Sequence, residues 1–249
     1  LKPLNTLKST NVISSIPSRS ISFTGYNGIR NWMSYTNLQD ITGYHPAKLK
    51  NYGLFEPYLN TNIGRNLFKM LNVENIVNWN GEWEISSTLQ NLEPLDRIFM
   101  IDNLINYNKD EELLIAMNSD NFDPRKTSYT KNSIPFFNKP NTSSNVKILK
   151  WTPNHILIET NSNVPILVGL SEIYYPNWEI ASHDIDIIEI NGLLRSFVAP
   201  KGSHKIKMVF NYDDIYYSSI ISKFIFLLML FLTLSTKIST IFKSKNESS

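Results

Sequence analysis

Gly43-Tyr44-His45-Pro46, with Lys48 two residues on, gathers three chemical capacities in six positions. Tyr44 offers a ring for stacking, His45 an imidazole that hydrogen-bonds or moves a proton near neutral pH, and Lys48 a cation for a phosphate. Arg30, Trp32 and Tyr35 lie just upstream and extend the same set. The competing reading of the block is a turn packed by Tyr44, with Pro46 fixing the backbone. Tyr174, Tyr175 and Trp178 form a second constellation. The C–H faces of a pyranose pack on aromatic rings, so these residues could make a sugar platform; the reading that outweighs it places them in the core and at the edge of a β-sandwich, where large aromatics dominate burial.

Two further groups carry less chemistry. On a strand, Asp184 and Asp186 share a face and His183 lies opposite. No other histidine or carboxylate stands at a spacing that completes a metal shell, so the group reads as a solvated strand edge. Glu111-Glu112 suits the first turn of a helix, where negative charge meets the dipole. The sequence has no Gly-x-Ser-x-Gly elbow, no glycine-rich phosphate loop and no His-Glu-x-x-His pair.

The elements that must position these residues fall into four segments. Residues 1–58 read as a linker followed by an aromatic-rich connection, with glycine or proline at 25, 28, 43, 46, 53 and 57. Residues 59–142 read as a small α+β unit. Ile63, Leu67, Phe68 and Leu71 repeat at helical spacing, Ile76-Val77 and Arg97–Asp102 look like strands, and Asn108 with Glu111 forms a capping-box pattern ahead of Leu113, Leu114 and Met117. Residues 143–214 carry six or seven short strands separated by turn chemistry, and so predict an antiparallel β-sandwich. Asn191-Gly192 is the sharpest hairpin signal, and Ala199-Pro200-Lys201-Gly202 is a second turn. Ile185 and Ile187, then Ile188 and Ile190, change phase at 187/188, where a bulge is expected.

Residues 215–249 predict a transmembrane helix with a basic tail. From Phe224 to Leu234 only Thr233 interrupts the apolar run, so the helix has no polar face on which to lie in an interface. That core rises only ~16 Å, and a full span needs Ile220 through Phe242, ~34 Å, with Lys223 and Lys237 snorkelling outward. Lys237, Lys243 and Lys245 against Glu247 place the tail in the cytoplasm by the positive-inside rule and the body outside. The formal net charge is +2; the stretch from Ser218 onward contributes +3, four lysines against one glutamate, which leaves −1 for the body. Such a balance argues against nucleic acid as a partner. With no cysteine, neither a disulfide frame nor a thiolate site is possible. Leu1 is followed by no basic and apolar export signal, so the chain is expected to be the C-terminal part of a longer membrane protein.

Several blocks, in order, resemble the YfhO-like bacterial membrane proteins. They are Gly43–Lys50, Met70–Val73 with Ile76-Val77, Asp96–Phe99, Glu111–Leu114, Asp123–Lys126, Ser171–Trp178 and Pro200–His204. The resemblance runs from about Gly43 to Leu234, and the tyrosine-tryptophan and glycine-histidine blocks are its most specific parts. Asn177 stands where the family usually has glycine, a mild change because asparagine tolerates the left-handed region. Asp184-Ile185 replaces an Asp-Gly turn. The resemblance implies a many-spanning protein similar to GT-C-type glycosyltransferases, which take sugar from a polyprenyl-phosphate carrier and decorate cell-wall or surface polymers. The catalytic carboxylate implied for such a protein belongs to an early external loop outside this chain. Expected partners are the membrane, the remaining transmembrane core and a surface glycan or polymer. A non-enzymatic alternative is a membrane-tethered β-sandwich that binds surface glycans or partner proteins.

Overall fold

The computed structural model describes residues 19–22, 39–41, 49–79, 83–85 and 92–246. The chain divides into two compact units, Leu1–Val209 and Phe210–Ser249. The first unit is α+β and contains an antiparallel β-sandwich; the second is built on one long helix.

The sandwich forms where the sequence alternates between short apolar strands and turns. One sheet contains β5 (Ile98–Ile101), β10 (Ile166–Ile173), β12 (Ile188–Ile190) and β13 (Leu194–Ala199), in the order β12-β13-β10-β5. The other contains β8 (Asn145–Thr152), β9 (His155–Ser162), β11 (Trp178–Ile180) and β14 (Gly202–Phe210), in the order β11-β14-β9-β8. β5 comes from the segment before Pro140, so the first sheet is completed by a strand distant in sequence. Between the sheets, Ile166, Val168, Leu170 and Phe197 meet Ile156, Ile158, Ile206 and Met208 in one apolar core. Fully burying each such side chain contributes about 2 kcal/mol.

The β10 sheet is covered on its other face as well. There Phe99, Ile101, Leu167, Ile190 and Leu194 join a second core with α2 (Asn62–Met70) and α3 (Asp110–Met117), through Leu67, Phe68, Met70, Leu113 and Met117. This double coverage explains why β10 is buried at both parities from Ile166 to Glu172. Space is tight: a Cβ on Gly169 would stand 2.6 Å from the Phe99 ring opposite it in register. The covering layer also holds β6 (Leu104–Asn106) paired in parallel with β7 (Ser128–Thr130). A third sheet aligns β1 (Arg19–Ser22) in parallel with β2 (Gln39–Asp40) and with β3 (Val73–Trp79), and β4 (Trp83–Ile85) follows antiparallel to β3. α1 (Lys50–Gly53) and a 3-10 turn at Glu56–Tyr58 lead into α2.

Local details follow the turn chemistry closely. Asn191 and Gly192 both have positive φ, 51° and 67°, and Leu193 N–H donates to the Ile190 carbonyl at 3.1 Å, which closes a type I′-like turn. Asn191 also pins β7, because its Oδ1 accepts the Tyr129 N–H at 2.9 Å and its Nδ2 donates to Ser128 Oγ at 3.1 Å. Two expectations are corrected. α3 starts at Asp110 with no side-chain cap; what survives of the capping box is Glu112 Oε2 accepting the Asn108 N–H at 3.4 Å. The acidic first turn Asp110-Glu111-Glu112 stabilises the helix start through the dipole instead. The phase change at 187/188 marks the start of β12, while Ile185 and Ile187 pack against the sandwich core from outside the strand. Register shifts occur instead between Ile148 and Lys150 and between Leu170 and Ile173.

The second unit is α4 (Asp213–Asn246). Its window Tyr216–Thr236, 21 residues at a mean hydropathy of 2.0, is long and apolar enough to cross a membrane, and none of it is buried.

Candidate functional site

The densest polar chemistry among the described residues lies under Trp178, where four strands and the residue before a fifth bring charge into the interior. Glu172 stands on β10 within its register shift, and Arg195 on the neighbouring β13. Arg97 immediately precedes β5, Arg19 opens β1, and Trp151 comes from β8. Charged residues in strands this apolar require partners, because an unpaired buried charge is prohibitively costly.

Glu172 supplies the shared partner. Its Oε2 lies 2.9 Å from Arg19 Nη2 and 3.5 Å from Arg195 Nη2. Its Oε1 accepts from Arg97 Nη1 at 3.1 Å and from Trp151 Nε1 at 3.1 Å. Gln39 Oε1 accepts from Arg97 Nη2 at 2.8 Å and from Arg19 Nε at 3.4 Å. Arg19 Nη1 donates to the Leu71 carbonyl at 3.1 Å and to the Ser171 carbonyl. The Arg195 guanidinium stacks 3.8 Å from the Trp178 ring centre, and its Nη1 meets Met208 Sδ at 3.6 Å. The Arg195 side chain is 3% exposed.

Burial dominates the electrostatics. It lowers the pKa of Arg195 and of Arg97 to about 10 each and pulls Arg19 down too; Glu172 opposes the shift in all three, while the Arg19 charge deepens it at Arg97 and Arg195. A carboxylate offers about four lone-pair directions, and here four donors fill them. Glu172 is therefore engaged as a structural acceptor joining three sheets, with no lone pair left to serve as a base.

A second polar group sits at the edge strand β12. Asn51 Nδ2 donates to Glu189 Oε2 at 2.9 Å, Lys131 Nζ pairs with Asp110 Oδ1 at 2.6 Å, and the same ammonium lies 5.2 Å from the Tyr107 ring centre. The Glu189 carboxyl is raised above its usual range, by burial first; Asp110 adds to the shift, and Asn51 and Lys131 oppose it.

Of the residues singled out from sequence, Tyr44, His45, Lys48 and Arg30 lie outside the described residues, as do Trp32 and Tyr35. Trp178 is half-buried on Arg195. Tyr175, 42% exposed, starts the turn that Trp178 closes through its N–H to the Tyr175 carbonyl at 3.1 Å. His183 Nδ1 is 2.7 Å from Ser182 Oγ, and its ring meets His204 edge-on at 5.3 Å. His204 Nε2 is 2.9 Å from the Lys201 carbonyl. Among the described residues no group of three or more His, Asp or Glu side chains is arranged to hold a metal. Sequence reasoning did not single out Arg19, Arg97, Glu172 and Arg195. The available signal was a charge inside Leu170-Ser171-Glu172-Ile173 and inside Leu194-Arg195-Ser196-Phe197, both otherwise apolar strand contexts.

Comparison of the chain with family models, with curated proteins and with solved structures gives no match.

Proposed function

We propose that this chain is the extracytoplasmic C-terminal region of a bacterial membrane protein that resembles a lipid-linked-sugar-dependent glycosyltransferase and modifies cell-surface polymers. α4 anchors the sheet domain, and the domain contacts the acceptor polymer or the sugar-phosphate end of a polyprenyl-phosphate carrier. The observation that carries the membrane part is the Tyr216–Thr236 window, which is apolar over 21 residues with none of its surface buried. An apolar helix with no polar stripe and no protein cover fits a hydrocarbon solvent. The family-like blocks around Tyr44-His45 and Tyr175–Trp178 support the transferase part.

The absence of native cysteine makes sidedness directly testable. Single cysteines at Asn163 and at Ser244 are challenged in intact cells with a membrane-impermeant maleimide. Asn163→Cys should label in intact cells, and Ser244→Cys only after permeabilisation; the reverse pattern would put the domain in the cytoplasm and end the proposal. The transferase part is tested by incubating membranes that contain the full-length protein with a radiolabelled polyprenyl-phosphate sugar and surface polymer. Sugar should appear in the polymer, and no transfer across the common sugars refutes that part.

A second reading, a tethered sandwich that binds glycans without catalysis, is favoured by the saturation of Glu172. The buried Glu172 carboxylate, bonded to Trp151, is held by four donors that occupy its lone pairs. Glycan binding by the protein with no transfer in the same assay selects this reading.

A further inference from the structure

The fold brings together two histidines that are distant in sequence, His183 and His204. β11 lies beside β14, and the pairing continues beyond Ile180, where Ala181 N–H donates to the Lys207 carbonyl at 2.9 Å. Lys207 N–H in turn donates to Ser182 Oγ at 2.9 Å. The same serine oxygen is 2.7 Å from His183 Nδ1, so the end of the ladder holds the imidazole that follows it.

β14 supplies the second ring. His204 lies on the strand face that carries Ile206 and Met208, both fully buried, whereas Lys205 and Lys207 alternate to the exposed face. Its Nε2 is 2.9 Å from the Lys201 carbonyl, across the turn that opens the strand. The two imidazoles stand 5.3 Å apart between ring centres with their planes at 80°, and both are half-buried.

Each ring uses one nitrogen on the protein and keeps the other. A carbonyl only accepts, so neutral His204 carries its proton on Nε2, which leaves a lone pair on Nδ1. On His183 the remaining nitrogen is Nε2, and Ser182 Oγ has a lone pair to accept a proton held on Nδ1. Among the described residues neither His204 Nδ1 nor His183 Nε2 has a protein partner. An imidazole oriented by a hydrogen bond from one nitrogen, with the other bare, is the usual state of a metal-ligating histidine. The separation agrees with that chemistry. With metal–nitrogen bonds of about 2.0–2.1 Å, each ring centre lies roughly 3.2 Å from the ion, and two rings at a tetrahedral angle stand about 5.2 Å apart.

Going beyond the proposed function and independently of it, we infer that His183 and His204 form a binding site for a divalent transition metal that favours imidazole: Zn²⁺, Cu²⁺ or Ni²⁺. Two protein ligands leave the other coordination positions to water, so the site is open. The ion ties the residues just after β11 to the start of β14 and staples that edge of the sheet.

The test uses the full chain in detergent, without an affinity tag and stripped of metal. Cu²⁺ is the first probe, because it binds nitrogen sites most tightly in its series. The expected result is one ion per chain, an electron paramagnetic resonance signal split by two imidazole nitrogens, and a melting temperature that rises until that stoichiometry is reached. His183→Gln and His204→Gln should each weaken binding by about tenfold or more and reduce the signal to one nitrogen. Ser182→Ala should weaken it less while retaining both nitrogens, and His155→Gln should leave it unchanged. Binding that survives either single ligand replacement, binding lost on replacing His45 or His155, or no two-nitrogen signal at equimolar Cu²⁺ overturns the assignment. His183 sits between the exposed Ser182 and Asp184, so its variant keeps the test sound if replacing His204 disturbs the turn before β14. A cytoplasmic result in the maleimide experiment would end the proposed function and leave this site standing.

Discussion

Replacing Glu172 with glutamine should be among the most damaging conservative changes in this chain. The amide keeps the size of the side chain and one acceptor oxygen, but it removes the charge shared by Arg19, Arg97 and Arg195 at 2.9, 3.1 and 3.5 Å. Side-chain exposures of 10%, 9% and 3% for the three arginines leave water little opportunity to compensate. The new amide N–H₂ also faces donors where Oε1 or Oε2 accepted. Removing one partner from a buried ion pair costs about 3–5 kcal/mol, a large share of the roughly 5–15 kcal/mol that holds a domain folded. Urea unfolding of the detergent-solubilised chain, followed by tryptophan fluorescence, reads this directly because Trp151 and Trp178 both touch the centre. A matched Arg195→Met change should cost less than Glu172→Gln, since it replaces a poorly bonded buried cation by an apolar chain of similar length. Made on the Glu172→Gln background, it should recover part of the loss by removing one uncompensated charge. A loss below about 1 kcal/mol for Glu172→Gln at an unchanged denaturant slope would refute the claim that this carboxylate is the hub.

Three other outcomes are expected. Asn191→Ala leaves the part-buried Tyr129 amide without its 2.9 Å acceptor and forces alanine to φ 51°, so about 2–3 kcal/mol should be lost in the same unfolding assay; Asn191→Gly should recover about 1 kcal/mol of that by relieving the strain alone. Glu189 holds its proton more tightly folded than unfolded, so its contribution to stability grows as pH falls through the raised folded pKa and levels off near the unfolded value of 4.5. Glu189→Gln, neutral throughout, should therefore exceed the wild type in stability above that window and converge with it below, and a pH-independent difference would contradict the assignment. Leu228→Arg near the middle of the Tyr216–Thr236 window should oppose insertion by about 3 kcal/mol and shift the protein out of the carbonate-resistant membrane fraction, whereas full retention would contradict a spanning helix.

Much of the fold was legible because single strands and helices declare themselves by period. Leu67, Phe68 and Leu71 marked α2, turn chemistry separated β8, β9 and β10, and Asn191-Gly192 marked its hairpin. What stayed hidden was non-local. β1 is four residues with no visible alternation, and its parallel partner β3 lies some fifty residues away, so nothing near Arg19 announces a strand. The membership of β5 in the β10 sheet is equally invisible, because pairing is a property of two segments and periodicity of one. The Glu172 centre was missed for the same reason: Arg19 and Glu172 are 153 positions apart, and each alone resembles an ordinary surface charge.

The doubly covered β10 sheet also has a consequence in time. Its strands come from both sides of the α3 region, so β5, already synthesised, has no partner until residues near Ile173 follow. Until then Leu67, Phe68, Leu113 and Met117 lack the sheet they pack on, and Arg19 and Arg97 lack Glu172. Long-range pairing of this kind slows folding and leaves apolar surface open to wrong partners meanwhile. The central sheet thus acts as a late keystone: α2, α3 and β5 wait for β10 to close their core, and truncation anywhere before β13 should yield insoluble material, not a smaller stable domain.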